Sequence, residues 1–394
     1  QSIEWARRAI ALADSIGDEE VATLALGALG TAMLFTDYEQ GVGHLLRTLD
    51  RQLAQGRLQP AAVTLGNLGS GSGEVMRLDN AERWLRESIA ISVANEFDGQ
   101  ANYAKAWLAL TRLLRGHWDE AAALGHEVAG NPNANDMSRL MALLALARLR
   151  LRRGDPGVEA ALDEGLALTG AHNTLQRIAP LRAARAEAAI ARGDPRAAAA
   201  EVDAALAQAV AHGHPWFIGE LSYWGWRAGK LDAPALPCAE PYALQIAGRW
   251  REAAAAWQRL GCPYECARAL ADGDEPAQRE ALAAFESLGA RPAADALRQR
   301  LHAAGVRGLP RGPRESTREH PFGLTTRELQ TLRLLCEGLR NAEIAARLHR
   351  SVRTVDHHLA AVFAKLGVES RAAAVAAAQR AGLTPQSGQS RDAK

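Results

Sequence analysis

A short polar punctuation recurs through the first half of the chain, and it limits the fold more than any other feature. Thr36-Asp37-Tyr38-Glu39-Gln40, Leu78-Asp79-Asn80-Ala81-Glu82, Gly116-His117-Trp118-Asp119-Glu120-Ala121, Gly154-Asp155-Pro156 and Gly193-Asp194-Pro195 share it. Their turn residues 38, 80, 118, 156 and 195 lie 42, 38, 38 and 39 positions apart. A Gly that follows a helix accepts a left-handed backbone, and a Pro just inside the next helix gives up no needed N–H. Ala- and Leu-rich helical stretches fill the intervals, and no alternating β pattern occurs. Each unit therefore reads as a helical hairpin, and stacked hairpins bury a continuous core. After Gly213 the phase loosens. His214-Pro215-Trp216, Gly229-Lys230-Leu231-Asp232-Ala233-Pro234 and Gly248-Arg249-Trp250-Arg251-Glu252-Ala253 still punctuate helices, at unequal spacing.

The chain has 394 residues, 48% hydrophobic and 23% charged, which implies two or more globular domains. Its net charge of +1 gives no global argument for nucleic acid, so any basic surface is local. Four scattered cysteines make no disulfide framework, which points to a reducing cytoplasm. No signal peptide and no apolar run of about 18 residues is found, so no membrane partner is expected. The sequence starts at Gln1 with Ile3, Ala6, Ile10 and Ala13 already on one helix face, as expected of a piece of a longer protein.

Few residues here suggest chemistry. Gly66-Asn67-Leu68-Gly69-Ser70-Gly71-Ser72-Gly73 is glycine-rich but lacks the lysine of a phosphate loop, so close helix packing followed by a loop is expected. Cys262 and Cys266 read as structural thiols, because no second Cys/His pair has metal-site spacing. His212 and His214 flank Gly213 in a turn, and Trp216, Phe217, Tyr223, Trp224 and Trp226 read as core. No nucleophile or acid–base set stands out. The expectation is a protein that is not an enzyme and carries no cofactor.

From Gly305 to Gly323 Gly, Pro and Arg dominate, as in an exposed linker. Beyond it Thr325 and Glu328 form a capping box that opens a helix bearing Leu329, Leu332 and Leu335. Gly338 ends it, Asn341 begins a second helix with Ile344, Ala345 and Leu348 inside, and Ser351 caps a third. Val355, Leu359, Val362 and Leu366 share one face of the third, which leaves Arg353, Asp356, His357, Ala360 and Ala361 on the other. Gly367 closes it, and an Ala-rich fourth helix runs from Arg371 to Arg380. Between His320 and Arg380 nine Lys/Arg stand against five Asp/Glu, an excess that suits phosphate neutralisation.

Leu324-Thr325-Thr326-Arg327-Glu328, Asn341-Ala342-Glu343-Ile344-Ala345, Thr354-Val355-Asp356-His357-His358-Leu359 and Lys365-Leu366-Gly367-Val368 strongly resemble the LuxR-type (GerE-like) helix-turn-helix domain. The resemblance implies that the helix from Ser351 to Lys365 is the recognition helix. It implies base-facing positions for Asp356, His357 and Ala360, and places near phosphates for Thr354, His358 and Lys365. Arg350, Ser351, Arg353 and Ala361 complete the expected DNA-binding set. Asp356 and Ala360 stand where many members carry basic residues; Asp356 has two readings, acceptor from a cytosine amino group or ion pair with Arg353. The hairpins resemble a tetratricopeptide solenoid with longer helices. Solenoid, linker and LuxR-type domain together look like the C-terminal portion of the large ATP-dependent LuxR-type regulators, the MalT-like class.

The expected fold is all-α: a tetratricopeptide-like solenoid over 1–304, a linker over 305–323, a four-helix LuxR-type domain over 324–382 and a disordered tail over 383–394. The expected function is transcription regulation, with the repeats sensing a ligand, a partner or an upstream ATPase domain. Expected partners are double-stranded DNA, a second copy on DNA, RNA polymerase and an effector or protein on the repeats. ATP would belong only to a domain absent from this chain. Two alternatives stand beside it: a helical interaction scaffold with vestigial DNA binding, and a non-catalytic fragment of an ATPase.

Overall fold

Left-handed backbone positions at Gly56, Met76, Glu96 and Gly116 fall 20 residues apart and set the architecture of the first part of the chain. At each, the N–H of the following residue reaches a carbonyl five positions back: Arg57 to Gln52, Arg77 to Ser72, Phe97 to Ser92 and His117 to Arg112, at 2.8–2.9 Å. This is the hydrogen-bond signature of a helix closed by one left-handed residue. The computed structural model describes residues 2–170, 174–309, 324–366, 368 and 370–380. It divides into two units, Gln1–Arg307 and Gly308–Lys394. The part of the linker beyond residue 309, Gly367 and the tail lie outside the described residues.

In the first unit the helices are α1 (Ser2–Ile16), α2 (Glu19–Met33), α3 (Tyr38–Ala54), α4 (Leu58–Glu74), α5 (Leu78–Ala94), α6 (Asp98–Leu114), α7 (Trp118–Ala129) and α8 (Asp136–Arg153). They continue as α9 (Val158–Ala167), α10 (Leu175–Ala191), α11 (Pro195–His212), α12 (Pro215–Arg227), α13 (Glu240–Ile246), α14 (Trp250–Arg259), α15 (Pro263–Leu270), α16 (Glu275–Leu288) and α17 (Arg291–Ala303). The Asp and Pro signals of the sequence mark the turns before α3, α5, α7, α9 and α11. The intervening turns carry less regular marks, Pro60 after Gly56 and Asp98 after Glu96, so the hairpin period is plainer in the sequence than its half-step.

Small residues let these helices approach closely. A Cβ on Gly69 or Gly71 of α4 would collide with Leu85 of α5 or with Leu34. Each glycine inside a helix costs about 1 kcal/mol relative to Ala, and here close packing offsets it. The glycine-rich stretch is helical through Glu74 and packs closely, and the turn through Val75 and Met76 follows it, as expected. Arginines at successive helix ends meet carboxylates one hairpin back: Arg153 to Asp119 at 2.5 Å and Arg192 to Glu159 at 2.6 Å. Exposed pairs of this kind contribute about 0–1 kcal/mol each; they favour register more than stability.

The loosened phase after Gly213 has a structural reason. A simple solenoid touches only its neighbours, yet α12–α17 return to the C-terminal ends of α4, α6 and α8. His214, which caps α12 and stacks on Phe217, comes within 3.9 Å of Glu74. Gly116 faces Pro263 and Leu288, and Gly154 faces Pro292, so a Cβ at either would collide. Arg291 donates to the Arg153 carbonyl at 2.6 Å and to Asp155. The deepest link is Arg152 of α8, whose side chain is 1% exposed and donates to Glu265 of α15 at 2.7 Å. Shorter helices are needed to make this return, which breaks the 40-residue rhythm.

The aromatic segment is core as expected: Phe217, Tyr223 and Trp224 are buried, and Trp216 and Trp226 pack against the same cluster. Cys262 is buried and Cys266 partly so, with burial pushing both thiols up. A cavity of about 100 Å³ lies where the return meets the first hairpins, lined by Glu74, Trp107, Arg148, Trp216 and Tyr242 among others. Burial raises the Glu74 carboxyl to about 8 and lowers the His214 imidazole to about 4, so at neutral pH the two face each other uncharged. Among the described residues, no helix is long and apolar enough to cross a membrane.

Candidate nucleic-acid interface

Among the described residues four helices build the second unit: α18 (Thr326–Cys336), α19 (Asn341–Arg347), α20 (Val352–Leu366) and α21 (Arg371–Arg380). Thr325 and Glu328 form the capping box read from the sequence. The Thr325 hydroxyl accepts from the Glu328 N–H at 3.2 Å, and the Thr325 N–H donates to the Glu328 carboxylate at 2.7 Å. Gly338 adopts φ +86° and ends α18. The α19–α20 turn closes through His349 at φ +52°, a left-handed position that no glycine announces. Ser351 then caps α20, its hydroxyl accepting from the Thr354 N–H at 3.2 Å.

Leu329, Leu332, Leu335, Ile344, Ala345 and Val355 are buried together with Leu359, Val362, Ala374 and Ala378. This core pins α20 by the face the sequence assigned to it; Leu366 packs at the margin. The outer face of α20 presents Arg353, Asp356, His357 and Ala360, all exposed, at i, i+3, i+4 and i+7. Thr354, His358 and Ala361 flank this stripe half-buried, and Arg350 and Ser351 stand exposed at its N-terminal end. Arg353 makes no hydrogen bond or ion pair among the described residues, so its guanidinium is available to a phosphate.

Two side chains are more committed than their positions in the sequence suggest. Lys365 donates to the Glu328 carboxylate at 2.6 Å and thereby ties the end of α20 to the start of α18. Burial works to raise the Glu328 pKa, but the bonds from Lys365 and Thr325 outweigh it, and the carboxyl lies below its ordinary value. Of the two roles weighed for Asp356, the ion pair with Arg353 is not formed among the described residues. Its carboxylate accepts from the Asn341 amide at 2.8 Å, and the Asn341 carbonyl oxygen accepts from Arg371 at 3.0 Å. Arg371 also donates to the Leu339 carbonyl. A polar chain thus runs from α21 through the head of α19 to the exposed face of α20. Nothing in the spacing of Asn341, Asp356 and Arg371 signals this chain; it exists only once three helices are packed.

A trihelical core with a capped helix held outward is the geometry that enters a major groove. The family model described as "Bacterial regulatory proteins, luxR family" matches residues 323–378. A protein named as an HTH-type transcriptional regulator in Mycobacterium tuberculosis is 46% identical over 72 residues, 18% of this chain and 8% of that protein. The response regulator RamR of Streptomyces coelicolor is 48% identical over 61 residues, 16% of this chain and 30% of its own. A response regulator of Synechocystis is 39% identical over 77 residues, 20% of this chain and 33% of its own. The matches thus span 8–33% of these relatives. A circular tandem repeat protein aligns over 96% of the chain and 84% of its own at 14% identity, with a TM-score of 0.25 too low to bear on the fold. The match to the family model, the regulator-named relatives and the four-helix geometry agree: the C-terminal unit of this chain is a LuxR-family helix-turn-helix domain.

Proposed function

We propose that this chain is a DNA-binding transcription regulator that lays α20 in the major groove. In this reading the repeat unit receives a signal, from a small ligand, a partner protein or an ATPase domain upstream. The observation that carries it is the outward stripe of α20, with an Arg353 unpaired among the described residues above a LuxR-family core. Arg350, Arg353 and Thr354 supply phosphate contacts, and His357 with Ala360 and Ala361 faces base edges. Lys365 reaches the backbone only by exchanging Glu328 for a phosphate. Because one module of this size reads a half-site, two copies bind together on DNA. The protein acts in the cytoplasm and alters recruitment of RNA polymerase; it carries out no chemistry, and ATP would serve only an upstream domain.

The test is selection of the full chain on a random duplex pool at low salt, followed by affinity against salt concentration. The regulator reading expects an enriched sequence and an affinity that falls steeply with salt. Binding without any enriched sequence, or no binding at low salt, would instead support a helical scaffold with vestigial DNA contacts.

A further inference from the structure

We propose that the repeat unit binds a small organic oxyanion, a carboxylate or phosphate on a flat apolar body, in the cavity between α8, α10, α12 and α15–α17. The cavity measures about 400 Å³, within the size range of ligand pockets, which runs from about 300 to 1,000 Å³. Its wall holds Arg152, Arg227, Arg268 and Arg300 against only two carboxylates, Glu187 and Asp272. Even with Glu265 assigned to Arg152, a positive charge remains in excess. Guanidinium groups cannot shed this charge by deprotonation.

The hydrogen-bond inventory points the same way. Buried N–H groups of Arg152 (Nε and Nη1), Arg268 (Nε) and Trp224 (Nε1) lack an acceptor, a surplus over the two buried oxygens that lack a donor, Glu187 Oε2 in the wall and Glu265 Oε2 on the partner of Arg152. Orphaned buried donors cost about 1–3 kcal/mol each, and an oxyanion supplies acceptors only. Arg268 makes no hydrogen bond or ion pair among the described residues; its guanidinium lies over the Tyr223 and Trp224 rings at 4.5 and 5.2 Å. That stacking fixes the plane of the fork and leaves its edge for a bidentate partner. Phe285, Leu297 and Ala296 give the apolar wall against which a flat body would rest.

This inference supplies one occupant for the receiving role proposed above, but binding is measured without DNA, so either reading can fail alone. Full-length protein is titrated by calorimetry with phenyl phosphate, benzoate and neutral benzamide, and Trp fluorescence is followed in parallel. At least one oxyanion is expected to bind tenfold or more tightly than benzamide, and comparison of the two separates phosphate from carboxylate preference. Arg268→Gln is expected to weaken that oxyanion at least tenfold and leave benzamide unchanged. Ala296→Trp, on an exposed helix face, fills the mouth and should abolish binding even if Arg268→Gln does not fold. Equal affinity for benzamide, no binding of either oxyanion, or unchanged binding in Ala296→Trp would overturn the proposal.

Discussion

At the residue scale, Glu74 carries the clearest pH signature. The native carboxyl keeps its proton up to about pH 8, while the unfolded one releases it near its ordinary 4.5. Its contribution is therefore full below pH 4.5 and lost as pH rises through 8. His214 has the opposite sign: native imidazole stays neutral down to about 4, while the unfolded ring takes a proton below 6.5. Its contribution is present above 6.5 and lost as pH falls through 4. The two slopes oppose each other between pH 4.5 and 6.5, which leaves Glu74 alone between 6.5 and 8. Across that window wild type should lose about 2 kcal/mol relative to Glu74→Gln, at roughly 1.4 kcal/mol per pH unit. Urea unfolding at a series of pH values checks this; parallel curves for the two proteins would refute it. Glu96 offers a second test. It is exposed at φ +59°, a position where a side chain costs about 1 kcal/mol. Glu96→Gly should raise stability by up to that amount, and Gly56→Ala, at φ +68° with open space around it, should lower it similarly. Glu96 draws no attention in the sequence, because a glutamate gives no hint of a left-handed turn.

At the element scale, α20 separates what periodicity shows from what packing adds. The apolar spacing of Val355, Leu359 and Val362 already told which side faces inward, and the outward stripe followed by elimination. The partners of that stripe did not follow. Asp356 is held by Asn341, and Asn341 by Arg371, through contacts 15 and 30 residues apart. Arg353→Ala should weaken DNA binding uniformly across sequences and reduce the salt slope by about 1, as loss of one phosphate contact does. If Asp356 orients α20 and reads no base, Asp356→Ala and Asn341→Ala should each lower affinity without changing the selected sequence. A changed preference at one base pair in Asp356→Ala alone would return that carboxylate to direct readout. Both outcomes are visible in the same selection experiment.

At the scale of the whole molecule, the repeat unit depends on its return more than on its stacking. Arg152 and Glu265 are 113 residues apart, and Glu187 lies 3.7 Å from the same guanidinium. Removing one partner from such a buried cluster leaves uncompensated charge, at about 3–5 kcal/mol. Arg152→Met should therefore destabilise the unit by that order. Adding Glu265→Gln should recover part of the loss, because the orphaned carboxylate is gone. Equilibrium unfolding of the two variants and wild type tests the coupling, and strictly additive effects would show that the pair is not a tie.

Sequence alone determined three things about this protein: an all-α repeat, a capped trihelical module after it, and the inward face of each module helix. These are local matters, settled by turn chemistry, caps and apolar period within some 40 residues. Tertiary structure decided the rest. It placed Lys365 on Glu328 and Asp356 on Asn341, folded α12–α17 back onto α4, α6 and α8, and gathered arginines from α8, α12, α15 and α17 around one cavity. The physical reason is range. A hydrogen bond or an ion pair depends on distance in space, and residues a hundred positions apart carry no mark in their neighbours of where the chain will bring them.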